Sequence, residues 1–382
     1  MNTFRAGNMS ARRPDAAPIR IMLVDDSAVI RGLINRMITP EPDMEVVASV
    51  ADGQRAIDQL TKDPSIDVIV LDIEMPVMDG LTALPELIRL KKDVKVVMAS
   101  TLTLENAEIS MKAMELGAID YVPKPTSTRE IGGASDFKQD LLGKVRAVCG
   151  RTDVPGPEQS STSSISAAPK RKLYRDSSVD LRSATGTHRK PQVIAIGSST
   201  GGPQALMEVL KNIPLSHRQP IVITQHMPPT FTTILAKHIK ESSGRPCSEG
   251  RDGEPMAPGH IYLAPGDFHM TIEARGATNV IRLNQDPPEN FCRPAVDPMF
   301  RSLAKIFGNR VLSVILTGMG SDGCKGANDI VSAGGTVIAQ DEESSVVWGM
   351  PGAVATAGLC SAVVPLKQVA NYINDFISKG MP

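Results

Sequence analysis

The sequence predicts an α/β protein made of two doubly wound parallel-sheet domains joined by a flexible linker. Three observations carry this. Short apolar runs alternate with amphipathic segments from Ile19 to about Val148, the pattern of parallel strands whose connecting helices cover both faces of a sheet. The same alternation resumes at Gln192. Between the two, from about Arg151 to Lys190, the chain turns to Ser, Thr, Pro, Gly and scattered basic residues, which bury too little apolar surface to offset the entropy of ordering. With 382 residues, 41% of them hydrophobic, the chain can fill two cores of the usual domain size of roughly 100–150 residues. The boundaries read as a disordered N-terminus over 1–18, a first domain over 19–148, a linker over 149–190 and a second domain over 191–382.

In the first domain the strands fall at Ile19–Val24, Glu45–Val50, Val68–Leu71, Val94–Ala99 and Tyr121–Val122, each an apolar run of strand length. Helices are expected at Ser27–Ile38, Gln54–Thr61, Leu81–Leu90 and Asn106–Leu116, with Ser27 and Asp52 placed to cap the first two. In the second domain the strands are Val193–Ile196, Ile221–Thr224, His260–Leu263, Val311–Leu316 and Thr336–Ala339, with helices between some of them. The linker cluster Lys170, Arg171, Lys172 reads as solvated charge rather than a docking patch.

Composition removes several function classes. A formal net charge of -1 gives no broad attraction to nucleic-acid phosphates or an anionic membrane. The longest apolar runs, such as Val68–Leu71 and Val311–Leu316, are far short of the roughly 20 residues of a membrane span. The N-terminus lacks the apolar stretch of a secretory signal. Five scattered cysteines without a C-x-x-C pair suit a reducing compartment, and the cytoplasm is expected.

The first chemical site is a carboxylate cluster. Asp25 and Asp26 close the first strand and Asp72 the third, and in a parallel sheet these ends share the carboxyl edge, where ligands bind. Three converging carboxylates need a cation, and a hard oxygen donor set suits Mg²⁺ with retained waters. Asp72 can then attack phosphorus and become an aspartyl phosphate. Lys124, after the fifth strand, offers positive charge to phosphoryl oxygens, and Ser100, after the fourth, a hydroxyl.

The second site begins at Gly197-Ser198-Ser199-Thr200-Gly201, a G-x-S-x-G turn between a strand and a helix start. Such an elbow exposes the central serine, Ser199, and aims helix N–H groups at a developing oxyanion. The same glycine-rich turn also fits a phosphate cradle, the non-enzymatic alternative of a phosphate- or nucleotide-binding output domain, although no Lys completes a P-loop. A DNA-binding output is disfavoured because no helix-turn-helix or basic face follows the linker. The hydrolase reading gains from His226 and Asp322, each following a strand. His226 would take the proton of Ser199 Oγ, and Asp322 would orient the imidazole and stabilise its cation. The order Ser, His, Asp differs from the Ser, Asp, His of ordinary α/β-hydrolases.

Residues 19–148 resemble response-regulator receiver domains through D-D-S after the first strand, L-D-I-E-M-P-V-M-D-G around Asp72 and Y-V-P-K-P at Tyr121–Pro125. This resemblance implies a flavodoxin-like fold, a chemotaxis histidine kinase as phosphodonor, Mg²⁺ at Asp25, Asp26 and Asp72, phosphate sensing by Ser100, Tyr121 and Lys124, and a cis Lys124–Pro125 bond. From 192 to about 375 the segments G-S-S-T-G-G-P, I-T-Q-H-M-P-P, Y-L-A-P-G-D-F-H-M, R-P-A-V-D and T-G-M-G-S-D-G resemble the chemotaxis protein-glutamate methylesterase family, CheB. This implies a Rossmann-like domain and a monomeric serine carboxylic-ester hydrolase that needs no cofactor of its own. Its substrates would be methyl-accepting chemotaxis receptors, whose glutamyl methyl esters it cleaves to methanol and glutamate, with deamidation of some glutamines. It also implies the Met319 backbone N–H as an oxyanion donor, and an unphosphorylated receiver packed over the esterase site and loosened by phosphorylation. The chain departs from the family at Cys324, where a small residue is expected and a small buried apolar group is the natural reading, and in its long linker. His269 and Arg293 lie in family motifs as structural or substrate-contacting residues.

Overall fold

A computed structural model of the protein describes residues 17–101, 103–124, 135–151, 179–182 and 190–379. Most of the expected linker, the N-terminus through residue 16 and Pro125 of the expected cis bond lie outside these residues. Two compact units emerge, Met1–Val94 and Lys95–Pro382.

The first unit runs β1 (Ile19–Val24), α1 (Ala28–Ile38), β2 (Met44–Val50), α2 (Gly53–Lys62), β3 (Val68–Asp72) and α3 (Gly80–Leu90). Its helices begin where short polar side chains accept orphan N–H groups: Ser27 from Ile30, Asp52 from Arg55 and Asp79 from Thr82. β3 is buried along its whole length, as a strand covered on both faces must be. Gly80 lets α3 start against that strand, because a Cβ there would stand 1.9 Å from the Asp72 carbonyl oxygen.

The second unit opens with β4 (Lys95–Ser100), α4 (Leu104–Glu115), β5 (Asp120–Pro123) and α5 (Ser135–Val148). These strands complete a five-stranded sheet of order β2-β1-β3-β4-β5. Within the second unit α4 packs on α6 and α7. Helix α5 was not foreseen: Gly143 and a charged first turn mask its apolar face in the sequence.

There follow β6 (Val193–Ser198), α6 (Gly202–Leu210), β7 (Ile221–Gln225), α7 (Pro229–Ser243), β8 (Cys247–Glu249), β9 (Ile261–Leu263), β10 (His269–Arg275), β11 (Thr278–Asn284), α8 (Val296–Phe307), β12 (Val311–Ile315), α9 (Cys324–Ser332), β13 (Thr336–Gln340), α10 (Gly349–Thr356), β14 (Ala362–Val364) and α11 (Leu366–Lys379). Seven strands form a parallel sheet of order β14-β13-β12-β6-β7-β9-β8. The order reverses between β6 and β12, the switch point at which open α/β sheets bind ligands. β10 and β11 pair separately as an antiparallel hairpin. It escaped the sequence reading because charged and apolar residues alternate there over only seven positions; Met270, Ile272, Val280 and Ile281 are buried, and the Ile272 N–H donates to Ser302 Oγ of α8. β8 and β14, three residues each, are too short to stand out as apolar runs.

Candidate functional site

In the first unit, Asp25, Asp26 and Asp72 come together at the carboxyl edge of β1 and β3, with one ligand oxygen from each within 4.8 Å of the others. Backbone turns fix two of them: Asp25 Oδ1 accepts the Ser27 N–H at 2.8 Å and Asp72 Oδ1 the Ile73 N–H at 2.7 Å. The donor set is entirely carboxylate oxygen, which fits Mg²⁺ and leaves coordination positions for water and a phosphoryl oxygen.

In the second unit, Ser100 is buried at the end of β4, where its Oγ accepts from Ser110 Oγ at 3.0 Å. The Lys124 N–H donates to the Ser100 carbonyl, closing β5 beside β4. Tyr121 is buried and lies flat on Phe231 of α7, ring centroids 3.9 Å apart and planes 4° from parallel. Burial pushes its hydroxyl well above the usual tyrosine range, with Asp120 and Asp140 adding to it. Around this stack Gln204 Nε2 donates to the Ala118 carbonyl at 2.7 Å, and Lys237 and His238 of α7 pair with Glu108 and Glu115 of α4 at 3.0 and 2.9 Å.

At the switch point of the large sheet, parallel register assembles the second site. Ser198 pairs with Gln225 across β6 and β7, so Ser199 and His226 leave neighbouring strands side by side. Gly197 faces Ile315 across β6 and β12, which delivers the Thr317–Gly323 loop to the same edge. The Ser199 N–H donates to the Thr317 carbonyl at 3.0 Å, and Gly201 turns the chain into α6 at φ 75°. Gln225 braces this elbow: its Oε1 accepts from Ser198 Oγ at 2.7 Å and its Nε2 donates to the Ser199 carbonyl at 2.8 Å. Gly318 is obligatory, since a Cβ there would lie 2.8 Å from Ser199 Cβ. The neighbouring Met319 N–H has no acceptor among the described residues.

His226 Nε2 meets Asp322 Oδ2 at 2.7 Å. Asp322, 1% exposed, also accepts the Val296 N–H at 2.6 Å, the Asp297 N–H at 3.1 Å, the Gly323 N–H at 2.9 Å and Asn290 Nδ2 at 2.8 Å. Val296 and Asp297 open α8, so the carboxylate caps a helix N-terminus, where the dipole favours negative charge. Burial pushes the Asp322 carboxyl up, but the hydrogen bond and charge of His226 and these N–H donors outweigh it and hold the group below the usual carboxylate range. Its neighbour Asp297 is pushed up by burial.

The ring's other nitrogen, Nδ1, lies 3.3 Å from Cys292 Sγ. Among the described residues no hydrogen bond joins Ser199 Oγ to His226, so the structure pairs His226 with Asp322 and leaves Ser199 beside them. Asn290 and Cys292 were missed in the sequence. They sit in a two-residue turn, closed by hydrogen bonds between Glu289 and Cys292 in both directions, with Asn290 and Phe291 at φ 51° and 63°. Both central residues are left-handed, as in a type I′ turn. Asn290 is a usual occupant of such a turn and Phe291 is not, which hid the turn from residue-type rules. His269 and Arg293 prove to be braces: the Ala295 N–H donates to His269 Nδ1 and His269 Nε2 donates to the Pro287 carbonyl, while Arg293 holds Asp267 and the Gln285 and Asp286 carbonyls. Cys324 packs against the core with its thiol toward the Ala353 carbonyl.

Residues 194–373 match the family model described as CheB methylesterase, and residues 21–134 the model of a response regulator receiver domain. A protein-glutamate methylesterase/protein-glutamine glutaminase of Azospirillum brasilense is 57% identical over 369 residues, 95% of this chain and 93% of that protein. Similarly named proteins of Rhodospirillum rubrum and Paramagnetospirillum magneticum are each 55% identical, over 93% and 94% of this chain and 94% and 96% of theirs. Among the described residues no helix is long and apolar enough to cross a membrane.

Proposed function

The chain belongs to the CheB methylesterase family, and from that premise we propose that it is a cytoplasmic, phosphorylation-controlled protein-glutamate methylesterase and glutamine deamidase of chemotaxis, with Ser199 as its nucleophile. The observation that carries the reading is the His226–Asp322 pair, 2.7 Å apart, at the strand end next to the Ser199 elbow. The relatives give no support to a non-enzymatic phosphate cradle in the glycine-rich turn.

Ser199 Oγ attacks the γ-carbonyl carbon of a receptor glutamyl methyl ester while His226 Nδ1 accepts its proton. Asp322 holds the opposite nitrogen and stabilises the imidazolium. The carbonyl oxygen, now anionic, is received by the Met319 N–H and the amides at the start of α6. Collapse expels methoxide, which leaves as methanol with the proton from His226, and Ser199 carries the glutamyl acyl group. Water, deprotonated by His226, then hydrolyses that ester to glutamate. A glutamine follows the same path and releases ammonia.

In the receiver, Asp25, Asp26 and Asp72 would hold Mg²⁺, which when bound screens the phosphoryl oxygens at Asp72. A chemotaxis histidine kinase supplies the phosphoryl group. Ser100 and Lys124 answer to it, and Tyr121 relays the change, since its ring is stacked on Phe231 of the helix that follows His226. On this reading Asp72→Asn abolishes the increase in methanol release that a small phosphodonor and Mg²⁺ give the wild type. Equal stimulation of both proteins would place control elsewhere. The closed arrangement also makes a prediction at α5: a Cβ on Gly143 would stand 3.4 Å from Met319 Cε. Gly143→Leu therefore drives bulk between α5 and the Met319 turn, and severalfold faster methanol release without phosphodonor is expected. An unchanged basal rate would show that α5 does not restrain the site.

A further inference from the structure

The hydrolase reading leaves one group against the base without a task. Cys292 Sγ is 3.3 Å from His226 Nδ1, and Nδ1 is the nitrogen that must take the Ser199 proton, because Nε2 is committed to Asp322. The thiol is there by construction. The turn that carries it sets Phe291, 98% exposed, in the left-handed region, a conformation costing roughly 1–2 kcal/mol for a residue with a Cβ. Strain of this kind persists where the surroundings hold it and a site uses it. Here the turn reaches the His226–Asp322 pair twice, its first central residue Asn290 donating to Asp322 and to Asp297 and its closing residue Cys292 meeting the imidazole.

Resting on the function proposed above, we infer that Cys292 is a positioning residue for the base: its sulfur engages His226 Nδ1 in the resting enzyme and sets how readily the ring accepts the proton of Ser199. The chemistry differs from that of a hydroxyl at the same place. A thiol beside an imidazole can hand over its proton to leave a thiolate–imidazolium pair. A ring held in such a pair is already protonated at Nδ1 and cannot serve as base, so catalysis needs the form in which the thiol keeps its proton and Ser199 Oγ replaces it at Nδ1. The groups facing His226 are the Asp322 carboxylate at Nε2 and the Cys292 sulfur at Nδ1, with Asp297 behind Asp322 through Asn290. Burial lowers the proton affinity of His226, but the charge and hydrogen bonds of Cys292 and Asp322 outweigh it and hold the ring well above the ordinary histidine range. Removing the sulfur therefore moves the base toward readiness at lower pH.

The test uses the full chain and a fluorophosphonate, which reports Ser199 reactivity without a receptor substrate. Labelling rates are measured between about pH 6 and 10 for wild type, Cys292→Ala and Cys292→Ser. Both variants are expected to show their rising limb at least half a pH unit lower, hence labelling about threefold faster than wild type on the acid side of the limb. In parallel, iodoacetamide alkylation of Cys292, followed by peptide mass, is expected to be severalfold faster at pH 7 in wild type than in His226→Ala. Superimposable labelling profiles overturn the inference, and so does equal alkylation with and without His226. If the Cys292 variants do not fold, the alkylation comparison decides alone. Failure of Ser199 to label in the wild type is a different result, and it removes the hydrolase reading together with the inference built on it.

Discussion

Replacing Ser199 with alanine is expected to lower kcat for methanol release from methyl-labelled receptor by about 10⁴-fold or more, and His226→Ala by a similar factor, because nucleophile and base act as one unit. The double variant should be little worse than either single one. This non-additivity is the sharper part of the prediction, since two residues contributing independently would multiply their losses. The residual rate belongs to what is left: the Met319 N–H, the amides of the elbow and the substrate contacts, which still favour a tetrahedral oxyanion over the ground state. Folding should be unaffected in Ser199→Ala. The elbow is held by backbone and Gln225 contacts, the Ser199 N–H to Thr317 and the Gln225 amide to the Ser199 carbonyl, none of which uses the serine hydroxyl. A Ser199→Ala protein with a near-normal rate would put the nucleophile elsewhere.

How much of this site could be read from the chain alone follows from how each residue is delivered. Ser199, His226 and Asp322 each come just after an apolar strand, and parallel pairing carries strand ends to one edge whatever the intervening loops do. The same holds for Asp25, Asp26 and Asp72. The fold itself was legible for a like reason: buried parallel strands are continuous apolar runs, and β6, β7, β12 and β13 are buried at every position. Asn290 and Cys292 belong to no strand end. Their place depends on a turn whose second central residue is a left-handed phenylalanine, and on its docking beneath α8, a tertiary outcome with no local signature. Asp297 reads locally as an ordinary first-turn helix acid, and only the structure shows it 1% exposed and linked through Asn290 to Asp322.

Asp322→Asn should cost activity and stability together, and the two losses have separate causes. The carboxylate accepts from His226, Asn290 and three backbone N–H groups, two of them the first amides of α8. An asparagine has one acceptor oxygen, and its NH₂ must face at least one of these donors. If the NH₂ takes the place of Oδ2, it faces both the Val296 N–H and His226; the ring then turns its acceptor nitrogen toward the amide and presents N–H, not a lone pair, to Ser199, and a wrong tautomer of this kind costs about 10⁴-fold in kcat. In either orientation a buried backbone donor loses its partner, the Val296 N–H in this one and the Asp297 and Gly323 N–H in the flipped one, at roughly 1–3 kcal/mol, which for a domain of this size lowers Tm by several degrees. The pH signs check the assignment independently. Asp322 has its affinity for protons lowered by folding, so its stabilisation is present above the usual carboxylate pKa of about 3.9 and disappears as pH falls through the lower folded value. His226 is raised, so its stabilisation is present below about 6.5 and fades as pH rises through the higher folded value. Catalysis needs the neutral ring, so hydrolysis rises over the same alkaline range in which this contribution to stability declines. Thermal unfolding followed across pH should therefore show wild type losing its advantage over Asp322→Asn at both ends, acid and alkaline. A difference in Tm that stays constant both as pH falls well below about 3.9 and as it rises well above about 6.5 would mean that the pair is not ionised as charge-assisted partners in the folded protein.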